Sequence, residues 1–137
     1  MIIVSACLAG VNCNYKGSNY KHEKVAELVK NKEAITVCPE LLGGLGSPRV
    51  PVELINGRAI RQDGEDVTEA FIKGAEKTLS FCQKHNAKKA ILKSKSPSCG
   101  CGKIYDGTFS HAIIEGDGIT TKLLKENGIE VVSSDDI

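Results

Sequence analysis

The 137-residue chain is long enough for one domain with a real core, and its 41% apolar and 26% charged residues match an ordinary soluble globular protein. A formal net charge of +1 from dispersed lysines and arginines offers no concentrated basic face for a nucleic-acid backbone, and no apolar run approaches a membrane span. The start, MIIVSACLAG, lacks the basic stretch and the length of a signal peptide, so residues 1–137 are expected to form a single cytoplasmic domain.

Ile2–Ala6 is a β-branched run that reads as a strand and stops at Cys7-Leu-Ala-Gly10. The polar stretch Val11–Lys21 has no apolar period and reads as a loop. From His22 to Asn31, Val25, Leu28 and Val29 recur at helical spacing with Lys and Glu opposite. Ala34–Val37 is a second strand, ended by Cys38-Pro39-Glu40 because proline cannot donate to a ladder. Leu41–Val50 is glycine-rich, and Gly43-Gly44-Leu45-Gly46 is a candidate anion cradle. It lacks the residues of a P-loop or a dinucleotide fingerprint. Val52–Ile55, Asn56-Gly57 and Arg58–Arg61 predict a hairpin with a type I′ turn.

Asp66 or Thr68 is expected to cap a helix running to about His85, with Phe71, Ala75, Thr78 or Leu79, and Cys82 on its apolar face. Ala90–Lys93 is a third strand feeding the loop Ser94–Gly102. Gly116–Asn127 holds a last helix, with Gly128 just past its end, and Ile129–Val132 is a fourth strand. This order predicts an α/β fold: a three-layer, Rossmann-like sandwich with a mainly parallel four-stranded sheet in order 2-1-3-4, plus an inserted β-hairpin.

In that topology Cys7, Cys38 and Cys99 lie beyond the C-terminal ends of three parallel strands. That is the edge where ligands bind in such sheets. Three convergent thiols among glycines and small polar residues point to a metal or iron–sulfur site. In a cytosolic protein, six cysteines are ligands, catalysts or core thiols before they are disulfides. Cys82, on an apolar helix face, reads as a core thiol. Cys13 and Cys101 each read as a fourth ligand, a resolving thiol or a bystander. The spacings match neither a zinc ribbon nor a bacterial ferredoxin run. A closed four-thiolate zinc site on the three cysteines with Cys13 or Cys101 is an alternative.

Glu40, between a cysteine and a glycine-rich loop, is the candidate acid/base group. Ser94, Ser96 and Ser98 flank Cys99 and can form turns, or orient a substrate or a water. Arg49, in the stiff Ser47-Pro48-Arg49-Val-Pro51 stretch, is a candidate for bidentate contact with a polar ligand or for pairing with Glu53. His22, His85 and His111 form no ligand or triad spacing and read as structural.

At these residues the chain resembles a known family. Val4-Ser-Ala-Cys-Leu-Ala-Gly10, Cys38-Pro-Glu, Pro48-Arg49, Asp63-Gly64, Ser96-Pro-Ser-Cys-Gly100 and Tyr105-Asp-Gly-Thr-Phe-Ser110 are similar to DUF523, whose characterised members are thiouracil desulfidases. The resemblance runs over nearly the whole chain. It implies a [4Fe-4S] cluster held by Cys7, Cys38 and Cys99, and non-redox removal of sulfur from a small-molecule thiolated base. It further implies Glu40 as acid/base and Ser96 as an assisting hydroxyl; from their own positions, Arg49 and Ser98 are expected as substrate contacts. Where the family loop often reads Val-Arg-Tyr-Asp-Gly, this chain has Asn14-Tyr15-Lys16-Gly17. The alternative function is an iron–sulfur or sulfide carrier that hydrolyses nothing.

Overall fold

In the computed structural model, which describes residues 1–137, strand β1 (Ile2–Ser5) pairs in parallel with β2 (Ala34–Val37), with Ile3 opposite Ile35. On its other side β1 pairs with β5 (Lys89–Leu92), and β5 pairs with β8 (Glu130–Ser133), again in parallel. The sheet order is therefore β2-β1-β5-β8, the order 2-1-3-4 expected for the four core strands. Both faces are covered, so β1, β2 and β5 bury residues on both sides. Ile3, Ala90 and Leu92 pack with Cys82 and Leu124 from helices α3 (Thr68–Lys84) and α4 (Ile119–Glu126). Val4 and Ile91 pack with Val25 of α1 (Glu23–Lys30) on the opposite face. Full burial of side chains such as Ile3, Leu92 and Leu124 stabilises the fold by roughly 1.5–3 kcal/mol each.

Local chemistry sets the element ends. The His22 ring accepts the Lys24 N–H at 3.2 Å, an N-cap made by a histidine. Asp66 accepts the Thr68 N–H at 2.9 Å where α3 begins, while the Thr68 hydroxyl accepts from Ala59 N–H at 2.9 Å and ties the helix to the hairpin. That hairpin is β3 (Val52–Ile55) and β4 (Arg58–Arg61), and Asn56 and Gly57 both have positive φ, as a type I′ turn requires. Phe71 on α3 joins it to the body through Leu54, Ala59 and Ile104.

Two elements depart from the sequence expectation. A second hairpin, β6 (Lys103–Tyr105) with β7 (Ile113–Glu115), precedes α4. All of β7 is exposed, so no inside–outside alternation marked it in the sequence. The glycine-rich stretch opens with a single helical turn, α2 (Pro39–Leu42), and proline at its first position and Glu40 in its first turn are the signals for it. Gly43 is no anion cradle. A Cβ there would meet the Ala70 carbonyl oxygen at 2.1 Å, and one on Gly74 would meet the Pro39 oxygen at 2.0 Å. These two glycines let α2 and α3 touch backbone to backbone. The third and fourth core strands are displaced by about one residue from the expected bounds, within the usual uncertainty of element ends.

Candidate active site

Parallel pairing brings the C-terminal ends of β1, β2 and β5 to one edge. From β1 the chain enters a 3₁₀ turn, Ala6–Ala9, carrying Cys7, and reverses at Gly10 with φ +97°. From β2 it reaches Cys38, the N-cap of α2, where proline prevents further strand pairing. From β5 it enters the loop that ends in Cys99. A cavity of about 350 Å³ opens between these ends, and Cys7, Cys38, Cys99, Glu40, Arg49, Ser96 and Ser98 all line it. This volume lies at the small end of ligand pockets, roughly 300–1,000 Å³.

The Cys99 loop is wired by its own hydroxyls. Ser96 Oγ accepts the N–H groups of Ser98 (3.1 Å) and Cys99 (3.0 Å). Its proton is then free for Ser98 Oγ at 3.1 Å, and the Ser98 hydroxyl donates to Cys99 Sγ at 3.5 Å. The Ser98 carbonyl accepts Thr120 N–H at 2.9 Å and Thr121 N–H at 3.2 Å, capping α4, while Thr121 Oγ1 donates to the Cys99 carbonyl at 2.8 Å. A Cβ on Gly118 would lie 2.5 Å from the Ser98 backbone, so only glycine permits this seam. Burial pushes the Cys99 thiol up to about 12, against hydrogen bonds from Ser98 and Ser5 that favour its thiolate.

Arg49 pairs through Nη2 with Glu40 Oε2, and its Nη1 donates to the carbonyls of Cys13 at 2.9 Å and Gly46 at 3.0 Å. The two side chains are only 11% and 14% exposed. The pairing with Glu53 weighed from the sequence is not the one formed. Glu53 Oε1 instead accepts the N–H groups of Gly107 and Phe109, each at 3.0 Å. Asn14, standing where the DUF523 loop often has arginine, is buried and turns its loop by accepting Lys16 and Ser18 N–H groups at 3.0 and 2.8 Å.

The contested thiols separate. Cys13 lines the cavity, 2% exposed, with its carbonyl oxygen 4.0 Å from Cys38 Sγ. Cys101 lies outside it, its Sγ 3.5 Å from the Val131 carbonyl. Cys82 is a core thiol, fully buried against Ile3, Leu92 and Leu124. No three of the His, Cys, Asp and Glu side chains close on a single ion. A ready-made tetrahedral zinc site on these thiols is therefore absent. Thiols spread round a cavity fit a multi-iron cluster, whose cysteines each hold a different iron, better than a lone ion.

Several lining residues have no role legible in the sequence, although Tyr105 and Phe109 belong to the Tyr105–Ser110 motif. All three tyrosines of the chain, Tyr15, Tyr20 and Tyr105, line this cavity, together with Phe109 and His111. Two tyrosines in a polar loop of a chain with 4% aromatics were the available signal. His22 and His85 are structural as expected, whereas His111 packs edge-on to Tyr105 with centroids 5.8 Å apart. Lys93 places Nζ 4.6 Å from the centre of the Tyr20 ring, and both the Ser94 carbonyl and hydroxyl accept from it at 3.1 Å. Desolvation pulls its pKa down. No helix is long and apolar enough to cross a membrane.

Comparison with known proteins bears on the family and the fold. The family described as 2-thiouracil desulfurase matches residues 2–136. The uncharacterized protein YbbK of Bacillus subtilis (strain 168) is 46% identical, an alignment covering 100% of this chain and 97% of that protein. The solved structure of the [4Fe-4S]-dependent thiouracil desulfidase TudS (DUF523Vcz) superposes with a TM-score of 0.94 at 40% identity, covering 99% of this chain and 91% of that one.

Proposed function

The chain belongs to the 2-thiouracil desulfurase family, and on that premise we propose that it is a [4Fe-4S]-dependent desulfidase converting a small thiolated heterocycle of the thiouracil type into its oxo form. The observation that carries this is the delivery of Cys7, Cys38 and Cys99 from three strand ends to one cavity that also holds Glu40. The donor set fits the group: three soft thiols, none a disulfide, spread round a space without closing on one ion. When bound, a cluster held by three cysteines supplies an iron with a free position, a Lewis acid suited to the substrate's sulfur.

The chain's own residues do the rest. Glu40 Oε2 is engaged by Arg49, which leaves Oε1 for the cavity. That carboxylate takes a proton from the water attacking the thiocarbonyl carbon and returns one as the carbon–sulfur bond breaks. Water supplies the new oxygen and sulfide leaves, so no electron donor is required. Arg49 holds the carboxylate in place and offers charge to a polar substrate edge. Ser96 and Ser98 fix the Cys99 loop, and their hydroxyl chain supports Cys99 as thiolate. The tyrosines give a planar ring surfaces to stack on.

Anaerobic purification with iron and acid-labile sulfide counts, followed by turnover of 2-thiouracil, tests the proposal. A brown protein that releases sulfide and uracil is expected. About one zinc per chain and no labile sulfide overturns it. Glu40→Gln should keep its iron and lose roughly 10²–10⁴-fold in kcat. Unchanged turnover in that variant removes Glu40 from the chemistry.

A further inference from the structure

The fourth thiol of the cavity has no part in the chemistry above. Cys13 is 2% exposed and shares the cavity wall with Cys38, the one cysteine of the three strand-end thiols that is partly open to solvent. Cys38 Sγ lies 4.0 Å from the Cys13 carbonyl oxygen, so the two residues sit side by side. Cys13 is held there from outside: Arg49 grips its carbonyl at 2.9 Å, and Ser47 Oγ donates to the next carbonyl, Asn14, at 2.7 Å. Cys99 is engaged elsewhere by Ser98, and Cys7 is buried within its own 3₁₀ turn. Cys13 is thus placed as a resolving thiol for Cys38.

We propose that Cys13 and Cys38 form a reversible disulfide when the cluster-free chain meets a peroxide, and that this bond gates cofactor loading by withdrawing one ligand from the site. The step balances. Hydrogen peroxide oxidises the Cys38 thiol to a sulfenic acid and is itself reduced to one water. The Cys13 sulfur then attacks Cys38 Sγ; the S–S bond forms, the S–O bond breaks, and the departing hydroxide leaves as a second water with the Cys13 proton. A dithiol reductant reverses it by exchange. Without Cys13, the sulfenic acid of Cys38 has no partner at hand and is open to irreversible oxidation to sulfinic acid. The gating half rests on the three-cysteine reading above; the disulfide half does not.

The full chain, stripped of iron anaerobically and fully reduced, is treated with hydrogen peroxide, and its thiols are counted and mapped by mass spectrometry without reduction. Two of the six thiols should disappear, in a peptide pair linking Cys13 to Cys38, and return with dithiothreitol. Cys13→Ser and, as a second form, Cys13→Ala should give no such pair and should accumulate sulfinic acid at Cys38. Reconstitution with iron and sulfide should fail for the oxidised wild type and recover after reduction. Six surviving thiols, or a disulfide through Cys7 or Cys101 instead, overturns the proposal. Should the reduced wild type also fail to take up iron, the proposed function falls while the mapped disulfide still stands on its own.

Discussion

Arg49 offers the sharpest test of how the site is held. Replacing it with methionine keeps the length and removes three contacts at once: the pair with Glu40 and the hydrogen bonds to the Cys13 and Gly46 carbonyls. Both charged side chains are nearly buried, at 11% and 14% exposure, so solvent screening discounts little of the interaction. Leaving a buried carboxylate without its partner costs about 3–5 kcal/mol, because its desolvation is no longer offset. For a chain of this size that corresponds to a fall in Tm of roughly 10–20 °C. The assay is thermal and urea unfolding of the reduced, iron-free chain followed by far-UV circular dichroism, for Arg49→Met, Glu40→Gln and the double variant. The double variant should recover part of the loss, with a coupling energy of about 2 kcal/mol. A loss below ~1 kcal/mol with no coupling would show that the pair behaves like an exposed surface bridge, and would refute the argument that burial makes it structural.

Two further outcomes are expected. Gly43→Ala puts a methyl 2.1 Å from the Ala70 carbonyl oxygen, and backbone cannot yield as a side chain can, so α2 must move off α3. The cost should be about 1–3 kcal/mol in urea unfolding, with less iron bound per chain after reconstitution because Cys38 is the N-cap of α2; a wild-type midpoint would show the contact is slack. Burial pushes the Cys82 thiol up from 9.0 to about 11, so the folded state favours the protonated form. Its contribution is full below about pH 9 and is lost as pH rises towards 11. Cys82→Ala should therefore flatten the decline of Tm between those pH values, and an unchanged slope would assign the alkaline decline to other groups.

The strand order and the meeting of three cysteines were legible because both follow from periodicity and a handedness rule. Ile2–Ala6, Ala34–Val37 and Ala90–Lys93 are short β-branched or apolar runs, and right-handed crossovers allow few ways to place them. The Asn56-Gly57 hairpin was legible for an equally local reason. What the sequence hid is what depends on contact between distant residues. Arg49 chose Glu40 over Glu53 because the α2 turn carries that carboxylate inward, and a single helical turn has no period to detect. Gly43 read as part of a candidate anion cradle, because its packing partner Gly74 lies on a helix far along the chain. Lys93, Tyr15 and Tyr20 have no motif spacing with one another, and Tyr105, though part of a motif, carried no sign of the cavity; separate loops bring them together. Cys13 was ambiguous on its own, because its place beside Cys38 in the cavity wall is set by the fold and not by residue type.

The seam between the Ser98 carbonyl and the start of α4 bears on how the protein is assembled. Cys7 and Cys38 lie beyond paired neighbours, β1 and β2, that leave the ribosome early. Cys99 is fixed only when β5 slots between β1 and β8, with Ile3 opposite Ala90, and when Thr120 and Thr121 seize the Ser98 carbonyl. Such long-range parallel pairing is slow, since loop closure precedes any gain. On the proposed ligand set, the metal centre needs β5 in place before its third thiol is delivered, unlike the zinc that drives folding of small fingers. A chain whose C-terminal third is not yet docked would, on that ligand set, lack the Cys99 ligand and be empty of iron.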